Sequence, residues 1–435
     1  MKHTLWGIEG GEAAMEAARR RQIDGRIRRE RGVGGVGTAG WLLAMMAGGS
    51  AWADFDSERY LIYELGSVTL RPHLGIGQVY DSNIFYNDEN RVDDFITTVQ
   101  PSLGAFYGDR EASFASLRYT LDASFYAERD DLNNLGHSLV HQSRFQFSRT
   151  SIEGQDRFSI TKNLLGGSFS YIQRRIGVVS LRDDWRADYS LSPKTSLGAR
   201  VSFDMVDYDA KDLAPNHLYD FMSYSGGFRV GYLPSEKIVV YPEISAGQSL
   251  RETNSPLVRE APDLTFYGIS VGAEGEFTPK LTGTVSGGYE FRDYEDDTEV
   301  PNGWIASVQL RWQARPKTVV SVGYRHWIEV SREVVGSSYN VHRPSVAVTQ
   351  QLGTQDRWTL GVEGFYQLDD YDETSRFSGV ARKDTLGGAS ARASYRWQPW
   401  LVASAGYDFR IYDGNVPTIP TYEVHRVSLR LAAGY

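Results

Sequence analysis

Val427-Ser428-Leu429-Arg430-Leu431-Ala432-Ala433-Gly434-Tyr435 is the stretch whose reading decides the fold of this 435-residue chain. Val427, Leu429, Leu431, Ala433 and Tyr435 fall on one face, and Ser428, Arg430, Ala432 and Gly434 fall on the other. A period of two is the pleat of a β-strand. One face of this strand suits an apolar medium and the other does not.

The same alternation recurs along the chain. In 281–292, Leu281, Val285, Tyr289 and Phe291 oppose Thr282, Thr284, Ser286, Glu290 and Arg292. In 304–313, Trp304, Ala306, Val308, Leu310 and Trp312 oppose Ser307, Gln309, Arg311 and Gln313. Residues 115–126 and 401–411 repeat the pattern, with Arg118 and Asp122 in the first and Asp408 and Arg410 in the second on the polar face.

The connections separate a membrane barrel from a soluble sandwich. Short ones carry turn residues: Ser192-Pro193-Lys194-Thr195, Pro234-Ser235-Glu236-Lys237, Thr278-Pro279-Lys280-Leu281, Arg315-Pro316-Lys317-Thr318 and Gln398-Pro399-Trp400. Gly108-Asp109-Arg110-Glu111, Ile152-Glu153-Gly154-Gln155 and Gly353-Thr354-Gln355-Asp356 read as further members. Longer, acidic connections fall near 81–92, 128–136, 164–178, 207–217, 251–263, 293–302, 331–337, 370–380 and 413–420. Short and long alternate strictly, as in an outer-membrane barrel with short periplasmic turns and long extracellular loops. Eight short and nine long connections give about 18 strands in an all-β, antiparallel, up-and-down transmembrane β-barrel. Trp312, Trp358, Trp397 and Trp400 beside the short turns, and Tyr126, Tyr208, Tyr294, Tyr371 and Tyr412 at the entries to long loops, read as two interfacial aromatic belts.

Composition agrees. The mean hydropathy of −0.40 and the lack of a long apolar run exclude a helical membrane protein. There is no cysteine, so disulfides and thiolate metal sites are excluded. At the N-terminus, Arg19-Arg20-Arg21 and Arg26-Ile27-Arg28-Arg29-Glu30-Arg31 precede an apolar Trp41–Ala47 core and the small-x-small Ala51-Trp52-Ala53. This predicts a signal peptide over 1–53 for Sec-type export, with Met15 as an alternative start. A short periplasmic segment, 54–66, would precede the barrel, 67–435. Without residues 1–53 the chain carries 38 basic and 50 acidic side chains, a net −12, which does not suit nucleic acid.

The strand 427–435 resembles the closing strand of bacterial outer-membrane barrels. That resemblance implies that Leu429, Leu431 and Tyr435 are a signal read by the barrel-assembly machinery. Residues 72–103 are more specific: Pro72-His73-Leu74-Gly75, Tyr80-Asp81-Ser82-Asn83-Ile84-Phe85, Asp93-Asp94-Phe95-Ile96 and Gln100-Pro101-Ser102-Leu103, joined later by Leu181-Arg182-Asp183-Asp184. These resemble the family described as "putative beta-barrel porin 2", outer-membrane barrels often found with exopolysaccharide or capsule biosynthesis. The resemblance implies an 18-stranded porin-like barrel in the outer membrane of a Gram-negative bacterium. For some members it also implies polysaccharide movement with polysaccharide-export components as partners, and it supplies no catalytic residues. Asp81-Ser82-Asn83 reads as a strand exit, since Asp and Asn bond their own backbone in turns.

Several motifs dissolve on inspection. Gly32-Val33-Gly34-Gly35-Val36-Gly37 lacks the strand and helix a dinucleotide fingerprint needs. Gly268-Ile269-Ser270-Val271-Gly272 sits within an alternating strand, not at the strained turn of a nucleophile elbow. The acidic tracts 128–131, 293–297 and 369–373 match no calcium loop and read as solvated loops at the cell surface, with weak divalent bridging to lipopolysaccharide as the alternative. His137 and His141, four apart in a strand, make no compact metal site by themselves. No cofactor or metal is expected.

With the greasy face assigned to lipid, parity sends Arg71, Arg118, Asp122, Glu274, Glu276, Glu290, Arg292, Arg311, Arg325, Asp408, Arg410, Arg426 and Arg430 to the lumen as pore-lining candidates. Phe106 and Tyr126 would offer aromatic faces to a sugar. The reading is an outer-membrane, porin-like channel and not an enzyme, serving as a conduit for export of a surface exopolysaccharide. The alternatives are a general diffusion porin for small solutes and, third, an outer-membrane hydrolase using Ser270.

Overall fold

A computed structural model describes residues 62–164, 175–209, 218–252, 262–295, 302–331, 338–353, 355–374, 381–416, 419 and 421–434. Residues 1–53, expected to be a signal peptide, the Gly32–Gly37 motif within them and Tyr435 lie outside the described residues. The described strands are β1 (Tyr63–Leu65), β2 (Val68–Asp81), β3 (Asp94–Gly108), β4 (Phe114–Tyr126), β5 (Asn134–Gln146), β6 (Thr150–Leu164), β7 (Arg175–Ser192), β8 (Thr195–Asp209) and β9 (Asp220–Ser235). They continue with β10 (Ile238–Glu252), β11 (Leu264–Thr278), β12 (Leu281–Tyr294), β13 (Gly303–Arg315), β14 (Thr318–Val330), β15 (Ser338–Leu352), β16 (Trp358–Thr374), β17 (Ala381–Gln398), β18 (Leu401–Gly414) and β19 (Tyr422–Gly434).

From β2 to β19 every strand pairs antiparallel with its neighbours in sequence, and β19 pairs with β2 from Arg426↔Asp81 to Gly434↔His73. The sheet therefore closes as an 18-stranded barrel with no free edge, the form that satisfies every ladder in lipid. The three residues of β1 fold back onto the start of β2, so part of the expected periplasmic segment is a short hairpin strand.

The turns explain the regular spacing. Pro193-Lys194, Glu236-Lys237, Pro279-Lys280, Pro316-Lys317 and Pro399-Trp400 each join two strands directly. The carbonyls of Lys194, Lys237, Lys280 and Lys317 accept amides of Leu233, Glu276, Gln313 and Gln351 on the next strand over. Each turn is thus tied to its neighbour around the periplasmic rim.

One expected turn is misplaced. Ile152-Glu153-Gly154-Gln155 lies inside β6, and the chain reverses at Phe147-Ser148-Arg149 instead. Gly154 is small for a packing reason: a Cβ there would meet the Trp185 ring at 2.7 Å. At the other end, Asp369, Asp370 and Tyr371 are part of β16, not of a loop.

The aromatic belts also need correction. Trp312, Trp358 and Trp397 do face outward near the periplasmic turns, at 50%, 46% and 63% exposure. Tyr208, Tyr294, Tyr371 and Tyr412, however, are buried. Their parity in β8, β12, β16 and β18 turns them into the barrel, as Tyr126 is turned in β4. The outward aromatics toward the extracellular side are residues such as Phe95, Phe125, Tyr289, Phe291 and Trp304.

Candidate functional site: the barrel lumen

The inward-turned Tyr126, Tyr294 and Tyr412 join apolar clusters near the extracellular strand ends. Tyr412, Val416, Ile419, Tyr422 and Val424 form one apolar cluster, with Tyr86 and Leu386 against it. Leu264, Phe266, Tyr294 and Val330 form another. Ile84, Ile96 and Leu132 form a third, covered by Val79, Phe85, Val92 and Tyr126. Loop residues (Ile84, Leu132, Val416, Ile419) thus pack against inward-facing strand residues, which removes apolar surface from water at the mouth.

The Asp81-Ser82-Asn83 motif fastens this mouth across the barrel seam. Asn83 has no solvent exposure. Its Nδ2 donates to the Glu423 carbonyl at 3.0 Å and to the Asn87 carbonyl at 2.5 Å, while its Oδ1 accepts from the Asn87 amide at 3.0 Å. Asn83 N–H bonds Asp81 Oδ1, the local turn bond expected of the motif. Ser82 and His425 exchange hydrogen bonds, and Arg426 Nε donates to Asp81 Oδ2 at 2.6 Å and its Nη2 to the Tyr86 hydroxyl at 3.1 Å. A motif read as a strand exit is therefore also the latch between the first and last barrel strands.

Below the mouth the lumen is polar, and its two walls differ. Along β7–β11, Arg186 pairs with Asp188 at 2.5 Å and with Glu274 at 2.6 Å. Arg229 reaches the same two carboxylates at 2.8 and 3.0 Å and lies over the Tyr241 ring. Arg200 pairs with Glu243 at 2.5 Å. Arg186, Arg200 and Arg229 are thus each matched by a carboxylate.

The wall from β12 to β18 encloses a cavity of about 520 Å³ whose lining includes Thr284, Gln309, Arg311, Glu363, Ser390, Arg392, Asp408 and Arg410. A second cavity shares Gly283 and Thr284 with it and reaches Glu236 and Lys237 in a periplasmic turn. Polar lining thus extends from Thr284 to the periplasmic rim at Glu236 and Lys237, whereas the apolar clusters of the described residues lie near the extracellular strand ends.

The remaining candidates are distributed along this lumen. Glu290 and Arg292 form a buried pair at 2.8 Å, and Arg292 also donates to the Ile328 carbonyl. Arg325 lies 4.9 Å from the Trp327 ring, and Trp327 donates to Glu329 at 2.8 Å. Asp122 accepts from Gln100 Nε2. Arg118 sits beside Asp122 on the inward row of β4, opposite Gly104 of β3. Arg71 covers Phe106 at 5.1 Å, and Glu276 pairs with Lys237 at 2.6 Å near the rim. Arg430 folds over Gly75, where any Cβ would strike its guanidinium. The rings of Phe106 and Tyr126 are not bare platforms: Arg71 and Arg110 flank the first, and Arg175 lies over the second and bonds its hydroxyl.

Arg186, Asp188 and Arg229 were not among the candidates, although their period-two spacing marks them as inward. The misplaced turn at 152–155 obscured the parity of β7. Ser270 faces the lumen in the middle of β11, paired with Glu243 and Gly288. No α-helix follows it among the described residues, so the geometry of a nucleophile elbow is not formed there.

With wall, mouth and lumen defined, the molecule is a porin-like outer-membrane β-barrel. The model of the family described as "Putative beta-barrel porin 2" matches residues 63–435, and the chain belongs to that family. Among solved structures it is similar to the outer membrane protein OpdK of Pseudomonas aeruginosa, at 9% identity, with 84% of this chain and 99% of that chain covered and a TM-score of 0.45. It is also similar to OccK3 of Pseudomonas aeruginosa, at 11% identity, 84% and 95% coverage and a TM-score of 0.43. A further similar structure is the siderophore receptor PirA of Pseudomonas aeruginosa, at 9% identity, 83% and 80% coverage and a TM-score of 0.42. No curated protein matches the sequence.

Proposed function

We propose that the protein is a conduit for export of a surface exopolysaccharide, loaded from the periplasm. The observation that supports this reading is the asymmetry of the lumen. Polar lining reaches the periplasmic rim at Glu236 and Lys237 beside Thr284, while the apolar clusters of the described residues lie near the extracellular strand ends. Hydroxyl, amide and charged groups along the cavity suit a hydrated polymer, and Arg311, Arg392 and Arg410 stand where a polyhydroxylated chain would accept hydrogen bonds. Arg71, Arg118, Asp122, Glu274, Glu290, Arg292, Arg325, Asp408, Arg426 and Arg430 complete the pore lining in this proposal. Residues 1–53 direct export, and Leu429, Leu431 and Tyr435 direct assembly. Polysaccharide-export components would deliver the polymer.

Deletion of the gene provides the test. The proposal expects polymer to accumulate in the periplasm while small-solute permeability stays unchanged. Loss of small-solute uptake with normal polymer at the surface would instead support a diffusion porin. Hydrolytic activity abolished by Ser270→Ala would move the reading to an enzyme.

A further inference from the structure

Among the described residues, the outer wall of the barrel carries a carboxylate or imidazole at mid-depth in one place. In β5, β6 and β7 the outward row is fixed by Leu135, Tyr189 and Leu191, which are exposed, and by the pairing of Trp185 with the exposed Val201 of β8. On that row stand His141, Asp156, Asp183 and Trp185, which the ladders place side by side: His141↔Asp156 and Asp156↔Asp183. All lie near the middles of their strands, where the membrane is driest. Other outward acids, such as Asp207, Asp293, Asp413 and Glu423, lie at the extracellular ends. The outward imidazoles His137, His326, His342 and His425 likewise lie near those ends.

This cluster is half-built. His141 Nδ1 bonds Asp156 Oδ2 at 2.5 Å, and Trp185 Nε1 donates to Asp156 Oδ1 at 2.7 Å. The indole lies across Gly154 and stacks with the His141 ring, centroids 5.9 Å apart. Asp156 is therefore satisfied within the barrel. The Asp183 carboxyl has no hydrogen bond or ion pair among the described residues, and the other nitrogen of His141, Nε2, is also without one. A polar group facing hydrocarbon without a partner is strongly disfavoured. An acceptor and a ring nitrogen left over on one face are complementary to the same face of another copy.

We propose that two copies of this chain associate through the outer faces of β5–β8, with the His141–Asp156–Asp183–Trp185 cluster at the centre. A two-fold arrangement is the one that matches the cluster with itself. A head-to-tail contact would set it against apolar wall, since no other described mid-depth position offers a carboxylate or imidazole. Ala187 and Ala199 on the same face are small and allow the two walls to approach closely. One proton per protomer between an imidazole Nε2 and the opposing Asp183 carboxyl removes both unpaired polar groups from lipid.

The chain has no cysteine, so cross-linking is clean. A Phe158→Cys variant, on the outward row of β6 beside the cluster, is treated in intact outer membranes with a short bis-maleimide; Ala405→Cys on the outward row of β18 is the control. The proposal expects a covalent product of twice the monomer mass for Phe158→Cys alone. It also expects Asp183→Leu and His141→Leu to lower that product about tenfold, the loss of roughly 1.4 kcal/mol. Their heat-resistant migration on gels would stay intact, since both side chains face outward. Equal products from both cysteines, an adduct to a different protein, or cross-linking unchanged in Asp183→Leu would overturn it.

Discussion

Replacing Asn83 with alanine tests whether the seam latch holds the barrel shut. The side chain makes three hydrogen bonds, two from Nδ2 to the carbonyls of Glu423 and Asn87 and one to Oδ1 from the Asn87 amide. It does so with no solvent exposure, so alanine leaves these backbone groups without replacement water. At about 1 kcal/mol per buried bond, with some extra cost for groups left unpaired, the expected loss is about 2–4 kcal/mol. One bond crosses to Glu423 and two close the turn to Asn87, so the loss falls on the β2–β19 seam and on the turn that leads from it. Urea unfolding in lipid vesicles, followed by tryptophan fluorescence, reads the change directly. Asp81→Asn should give a loss at least as large, because it leaves the partly buried Arg426 charge without its carboxylate. A change below about 0.5 kcal/mol for Asn83→Ala would show that the seam does not depend on the motif.

Four further outcomes follow from the geometry. Arg311→Glu and Arg410→Glu reverse charges on the cavity wall and should move the reversal potential in a salt gradient toward cation selectivity; an unchanged potential would place both outside the ion path. Arg229→Ala leaves Asp188 and Glu274 to Arg186 alone and should destabilise the barrel by on the order of 3 kcal/mol in the same urea assay, whereas wild-type stability would mean the network is redundant. The Asp263 carboxyl, in the β10–β11 loop, is pushed up to about 6 by burial and by Glu295 and Glu252, against the pull of Arg251. Its folded value lies above the ordinary 3.8, so the native loop holds a proton that the open loop releases. The resulting stabilisation is complete below about 4 and is lost as pH rises through about 6. Hydrogen exchange at the Glu295 amide, which donates to the Asp263 carbonyl, should therefore show more protection at pH 5 than at pH 7.5 after correction for intrinsic rate; equal protection contradicts the assignment. Removing Tyr435 should reduce the amount of barrel in the outer membrane without altering the conductance of molecules that assemble, and normal levels would count against an assembly signal there.

The wall of this protein is legible in its sequence because lipid enforces a period of two that a reader can follow. Pro-Lys turns punctuate it, and the 18-strand count follows from them. Gly154 misled for an intelligible reason: glycine marks turns, but it also marks places where a ring from the next strand lies flat on the backbone, as Trp185 does. The tyrosines at strand ends misled in a similar way. Near a loop an aromatic residue can face lipid or lumen, and only the exact register shows that Tyr294 and Tyr412 are even-numbered residues on inward rows. The mouth was not legible at all, because Ile84, Leu132, Val416 and Ile419 lie in loops and meet residues on remote strands. The latch partner of Asn83 lies more than three hundred residues away. The cluster at His141, Asp156 and Asp183 breaks the rule that keeps charge off the lipid face, so a reading built on that rule passes over it.

Polymer block of single channels in planar bilayers tests the central claim most directly. With the protein inserted in known orientation, a purified polysaccharide from the host surface is added to one side at a time. A conduit loaded from the periplasm predicts current block from the periplasmic side and little or none from the extracellular side. Equal block from both sides, or a large steady conductance that the polymer never interrupts, would contradict it.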